Sequence, residues 1–214
     1  MKLLPRNLTR IVGACALLAV ASTAHAQSVT VNRCAAAKVR CVEGYTHVCG
    51  VQGVLGLFKC YQNAALRNRF ADQVCVNRTE DKLIECFRDA ERLNGACLTM
   101  GDVGAMQQKI EIFVNDAVSD MVPVFPFPID NTCASNKEKT VAETAADKLA
   151  CFEDPMRRAP GIVSPSCLAS ADAKYHYQFD KLEGNGGCLT TGDDPVLLAK
   201  LNAFVADIIA ALNP

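Results

Sequence analysis

No tryptophan occurs among the 214 residues, and aromatic side chains make up only 6% of the chain. A core drawn from this composition must rest on aliphatic residues and alanine rather than on large rings. Excess charge of either sign is also missing, because 22 basic residues face 23 acidic ones. That balance excludes a strongly basic nucleic-acid binder. A charged fraction of 21% beside a hydrophobic fraction of 50% excludes a disordered polyampholyte. Beyond the N-terminus no apolar run approaches the roughly 18 residues of a membrane span.

Catalytic and cofactor motifs are absent too. There is no G-x-S-x-G, no Walker loop and no H-E-x-x-H. No C-x-x-C or C-x-x-x-C pair exists, and so no C-x-x-C-H haem attachment. Beyond residue 26 the only histidines are His47 and His176. His176, between Tyr175 and Tyr177, reads as a surface residue. The expectation is a non-enzymatic protein with no cofactor and no metal.

What is present begins with the N-terminus. Lys2, Arg6 and Arg10 form a basic start, Ile11 to Ser22 an apolar stretch, and Ala24-His25-Ala26 a small-residue cleavage site. This is the pattern of a secretory signal peptide over residues 1–26, cleaved after Ala26. Cys15 belongs to it. Its removal takes three basic residues and leaves 19 against 23 acidic ones, a net charge of −4. The expected location is secreted or periplasmic. Eleven cysteines in the remaining 188 residues then read as a disulfide framework with one thiol left over.

The chain also matches itself. Cys97-Leu98-Thr99-Met100-Gly101-Asp102 aligns with Cys188-Leu189-Thr190-Thr191-Gly192-Asp193. Lys109 then meets Lys200, Phe113-Val114 meets Phe204-Val205, and Asp116 meets Asp207. Upstream, a single-residue gap brings Phe87 onto Phe179, Lys82 onto Lys174 and Cys75 onto Cys167. Further back, Cys60 meets Cys151, and Cys34 to Lys38 meets Cys133 to Lys137. Self-similarity at this period signals tandem modules. Residues 27–122 form the first and 133–214 the second. The Pro-rich segment 123–132 lies between them, extended by its prolines.

Each module reads as about three helices, giving an all-α fold. The last helix of the second carries Leu197, Leu201, Phe204, Val205, Ile208 and Leu212 at three- and four-residue steps. Asp193 or Asp194 can cap it, with Pro195 in its first turn, and Asp102 is the matching cap in the first module. Thr-Gly-Asp is thus a turn plus cap; one or two carboxylates make a poor calcium cage. Middle helices are expected at 78–92 and 169–183, ended by Asn94-Gly95 and by Gly184 to Gly187. A first helix or helix pair is expected at 33–68, with Gly50, Gly53 and Gly56 as weak points, and a first helix at 137–152, followed by a loop marked by Pro155 and Pro160.

The cysteine spacing predicts crosslinks. Cys60 and Cys75 flank a turn, Cys49 lies 11 residues before the one and Cys86 11 after the other. Eleven residues is about three helical turns, which returns to the same face. Cys60–Cys75 and Cys49–Cys86 would be two rungs of an antiparallel hairpin, provided the first helix is continuous through Gly50 to Gly56. The second module keeps four cysteines, which pair as Cys151–Cys167 and Cys133–Cys188. By position Cys34–Cys97 follows, leaving Cys41 as the free thiol, available for a Cys41-linked dimer.

Sharper chemistries compete. Cys34, Cys41 and Cys49 line one helical stripe near His47, a soft set that could take Cu(I). Cys41 near Lys38 and Arg40 could be redox-active. Asn77-Arg78-Thr79 is a glycosylation sequon in a eukaryotic setting only. A lipid or small apolar ligand could occupy a tunnel in such a fold.

The blocks Gly95 to Asp102 with Lys109 to Asp116, and Gly187 to Asp193 with Lys200 to Asp207, resemble a group of secreted bacterial proteins. These are built from alanine-, lysine- and cysteine-rich helical repeats and are frequent in deltaproteobacteria-like genomes. The resemblance spans most of both modules and carries over no catalytic residues. This chain has less lysine than the group, and its first module has three extra cysteines. The resulting expectation is an exported binding, adhesion or structural protein. Its partner is another protein or a cell surface, not nucleic acid. Cysteine-dependent metal or thiol-redox handling is the alternative, and carriage of a lipid or small apolar ligand the third.

Overall fold

Seven helices and no strand are found among the described residues of the computed structural model, which are 27–44, 52–122 and 131–214. The expected signal peptide, most of the Pro-rich segment, His47 and Cys49 lie outside them. The helices are α1 (Arg33–Glu43), α2 (Gly53–Ala65), α3 (Gln73–Leu93), α4 (Val103–Met121), α5 (Thr132–Arg157), α6 (Pro165–Gly184) and α7 (Asp194–Leu212). The fold is all-α, as the sequence predicts.

Caps set several of these starts. The Asn32 side chain accepts the Ala35 N–H, Asp72 that of Val74 and Asn131 that of Ala134. These caps lengthen the helices upstream of the expected bounds, α3 from 78 to 73 and α5 from 137 to 132. α5 also runs past Pro155 to Arg157. There the proline falls in the last turn and removes a single N–H bond.

The first module has four helices where about three were expected. Its first helix is broken: α1 stops at Gly44, which is left-handed at φ 102°, and α2 starts at Gly53, at φ 57°, after an extended Gln52. A Cβ on Gly53 would lie 2.2 Å from the Val42 carbonyl oxygen, so only glycine allows this approach. The spacing from Cys34 to Cys60 exceeds that from Cys133 to Cys151 by eight residues. The extra length falls at this break, opposite the unbroken α5.

α5 is the hub, packed against α1, α2, α6 and α7, and α4 packs against α7. The contacts are reciprocal. The Asn32 N–H donates to the Met156 carbonyl at 2.7 Å, and the Asn131 N–H to the Ala65 carbonyl at 3.2 Å. Lys109 pairs with Asp207 at 2.5 Å, and Lys200 with Asp116 at 2.9 Å. Phe113 stacks on Phe204 with centroids 4.3 Å apart. Position i of one half meets position j of the other, and j meets i, which is the contact rule of a two-fold axis. Buried side chains from both halves form one contiguous core. α7 has the length and apolarity of a membrane span, but Leu197, Leu201, Phe204, Ile208 and Leu212 are buried in that core.

Candidate functional site

Five disulfides join the ten described cysteines, with Cα–Cα distances of 5.0–5.9 Å, inside the normal range. Cys34 bonds Cys97, Cys60 bonds Cys75, Cys133 bonds Cys188 and Cys151 bonds Cys167. The fifth corrects the sequence-based expectation. Cys86 bonds Cys41, not Cys49, so Cys41 is not the free thiol and cannot link a dimer. The physical reason is the break after Glu43. A Cys49–Cys86 rung requires Cys49 and Cys60 on one continuous helix, and the extended Gln52 and left-handed Gly53 interrupt it. In the second half the positions matching Cys41 and Cys86 are Thr140 and Gln178. Their side chains meet in a hydrogen bond of 3.2 Å. The Thr140–Gln178 match was the available signal for the fifth bridge.

With Cys34 and Cys41 both oxidised, the proposed copper stripe loses two of its thiolates. No group of three or more metal-ligating side chains occurs among the described residues. The sequon lies on helix α3, with Thr79 buried and its hydroxyl donating to the Cys75 carbonyl at 3.1 Å. His176 is half-exposed, with Nδ1 2.7 Å from the Asp194 carboxylate.

A feature that the sequence reading missed lies beneath the repeated Thr-x-Gly-Asp block. Asp102 and Asp193 stand at the starts of α4 and α7, but neither side chain caps its helix. Each faces a lysine instead. Lys38 Nζ donates to Asp102 Oδ1 at 2.7 Å and to the Thr99 carbonyl at 2.7 Å, and lies 2.8 Å from Glu91. It also sits 5.6 Å from the Phe87 ring centroid. Lys137 repeats the arrangement with Asp193 at 2.6 Å, the Thr190 carbonyl at 2.8 Å, Glu183 at 2.7 Å and the Phe179 ring at 5.3 Å. Both lysines are 1% exposed.

An ammonium has three N–H donors, and each lock supplies three oxygen acceptors. The Gly101 N–H donates to Glu91, and the Gly192 N–H to Glu183, which fixes the second carboxylate. Burial pushes the Asp193 carboxyl up, but hydrogen bonds led by Lys137 and Thr190 outweigh it and hold it below the ordinary range. The locks tie α1 to the α3–α4 corner and α5 to the α6–α7 corner.

An apolar groove of about 470 Å³ lies along α7, lined by Val29, Phe152, Leu168, Val205 and Ile209. At one side Lys148, paired with Asp172 and Asn202, supplies its charge. Comparison of the chain with protein-family models, with curated proteins and with solved structures finds no match.

Proposed function

We propose that the chain is an exported, non-enzymatic binding protein of the cell envelope or exterior. In this reading two tandem repeats fold as an intramolecular pair and present their surface on a rigid frame. The observation that carries it is the oxidation of all ten described cysteines. Disulfides persist in oxidising compartments, in keeping with an N-terminal sequence of secretory type. The buried lysine locks add rigidity without supplying a reactive group, since each ammonium is fully engaged. Fractionation of the native host tests the reading, combined with N-terminal sequencing, thiol titration and elemental analysis. It expects a chain that begins at Gln27 in an extracytoplasmic fraction, with one free thiol or none and no metal. Cytosolic protein with many free thiols and bound copper would overturn it.

A second reading, carriage of a small apolar molecule, draws on the groove along α7. Enhancement of N-phenylnaphthylamine fluorescence by the protein, and its loss when Ala206, which also lines the groove, is changed in Ala206→Phe, would support it. No enhancement would remove it.

A further inference from the structure

A cleft of about 470 Å³ opens where α1 begins, α5 ends and α3 ends, lined by Arg33, Asn94, Asp154, Arg157 and Arg158. The hydrogen bond from the Asn32 N–H to the Met156 carbonyl fastens the α1 start to the α5 end. Three guanidiniums face one carboxylate, so the lining carries a net charge of +2. Arg158 is paired with Asp154 at 2.5 Å. Arg157 is paired with Glu153, which also receives Arg40 at 3.1 Å. Arg33 has no carboxylate partner among the described residues.

The two-fold arrangement shows which of these charges the scaffold needs. Contacts present in both halves hold the fold together. The positions that match Arg33, Arg157 and Arg158 in the other half are Thr132, Leu66 and Arg67. Threonine starts the equivalent helix and leucine ends it, so neither Arg33 nor Arg157 is required for those helices to form. Arg33 pairs with no carboxylate among the described residues and Arg157 only with Glu153 of its own helix, so neither charge joins two helices in a mature chain of net charge −4.

We propose that this cleft binds a phosphoryl dianion, the charge that balances its own. Guanidinium forks match the oxygens of a phosphate in bidentate pairs, and the volume admits a phosphate together with the small group that carries it. The proposal rests on the binding-protein reading and names the ligand class for it.

The test is titration of the full mature, oxidised protein at low ionic strength. One arm uses inorganic phosphate, one glycerol 3-phosphate, and one vesicles of phosphatidylcholine with or without phosphatidic acid. The double variant Arg33→Thr/Arg157→Leu transplants the residues of the other half. It is expected to weaken binding at least tenfold in whichever arm binds. Arg67→Ala is expected to bind as the parent does. Binding of the free phosphates identifies a soluble ligand, and binding only of phosphatidic acid vesicles a lipid headgroup. Circular dichroism and an unchanged disulfide count show that the double variant is folded. No binding in any arm, or equal binding by the double variant, overturns the proposal. Failure of the cleft leaves export and oxidation to be decided by the fractionation.

Discussion

A buried lysine is costly unless every donor is satisfied, and removal of one member of a buried ion set leaves uncompensated charge behind. Lys38 and Lys137 each neutralise one of two carboxylates and satisfy one carbonyl. Lys38→Met should therefore destabilise the protein by about 3–5 kcal/mol in urea titration. Lys137→Met should do the same, and a loss under about 1 kcal/mol would show that the locks are decorative. Glu138 is the opposite case. It is 1% exposed, its Oε2 has no partner, and burial pushes its carboxyl up to about 8. Glu43, at the helix break, is pushed up to about 7 by burial and by Glu153. A raised carboxyl binds its proton more tightly in the folded state. The stability it brings is present below its unfolded pKa near 4.5 and is lost as the pH rises through about 8. Asp193 has the opposite sign: its contribution is lost as the pH falls through its lowered pKa. Glu138→Gln should leave stability at pH 5 nearly unchanged and raise it at pH 8.5, on the order of a few kcal/mol. Equal melting of variant and parent at both pH values would contradict this account.

At the scale of elements, the break between α1 and α2 decides the most. Gly53→Ala would drive a Cβ into the Val42 and Cys41 carbonyls, at 2.2 and 2.6 Å. The expected cost is several kcal/mol, read as a lowered urea midpoint. Gly104→Ala, in the first turn of α4 with nothing within 4 Å, should be neutral or stabilise by about 0.5–1 kcal/mol. Similar effects at the two positions would mean that the break is not specified by glycine. The break also marks where sequence reasoning stopped. The 3.6 periodicity of α4 and α7 and the Gly-rich ends of α3 and α6 are local signals, legible in the sequence. Gly50, Gly53 and Gly56 were recognised as weak points, yet they did not reveal whether the helix bends or breaks there. The lysine locks were half visible, because Lys38, Lys137 and both Thr-x-Gly-Asp blocks were aligned. The lysine and its Thr-x-Gly-Asp block are 61 to 64 residues apart in the first half and 53 to 56 in the second, so a cap is the nearer reading.

For the whole molecule, the two halves meet through a stack and a set of ion pairs on α4 and α7. Phe113 and Phe204 are buried and in contact, whereas Lys109, Lys200, Asp116 and Asp207 are solvent-reached. Exposed pairs contribute about 0–1 kcal/mol each, whereas loss of a buried phenyl costs about 3–5 kcal/mol. Phe113→Ala should thus weaken the protein far more than Lys109→Ala/Lys200→Ala, and the reverse order in urea melts would refute the two-fold core. The disulfides constrain the same architecture covalently. Bridges that close 15 to 63 residues contribute about 3–4 kcal/mol each where native geometry is unstrained. The most direct test of the account is therefore peptide mapping of the native protein without reduction, after alkylation of free thiols. It should return Cys34–Cys97, Cys41–Cys86, Cys60–Cys75, Cys133–Cys188 and Cys151–Cys167, with Cys49 outside these five pairs. A Cys49–Cys86 crosslink with Cys41 alkylated would contradict it, because that pairing needs a helix continuous from Cys49 to Cys60, which the extended Gln52 and left-handed Gly53 interrupt.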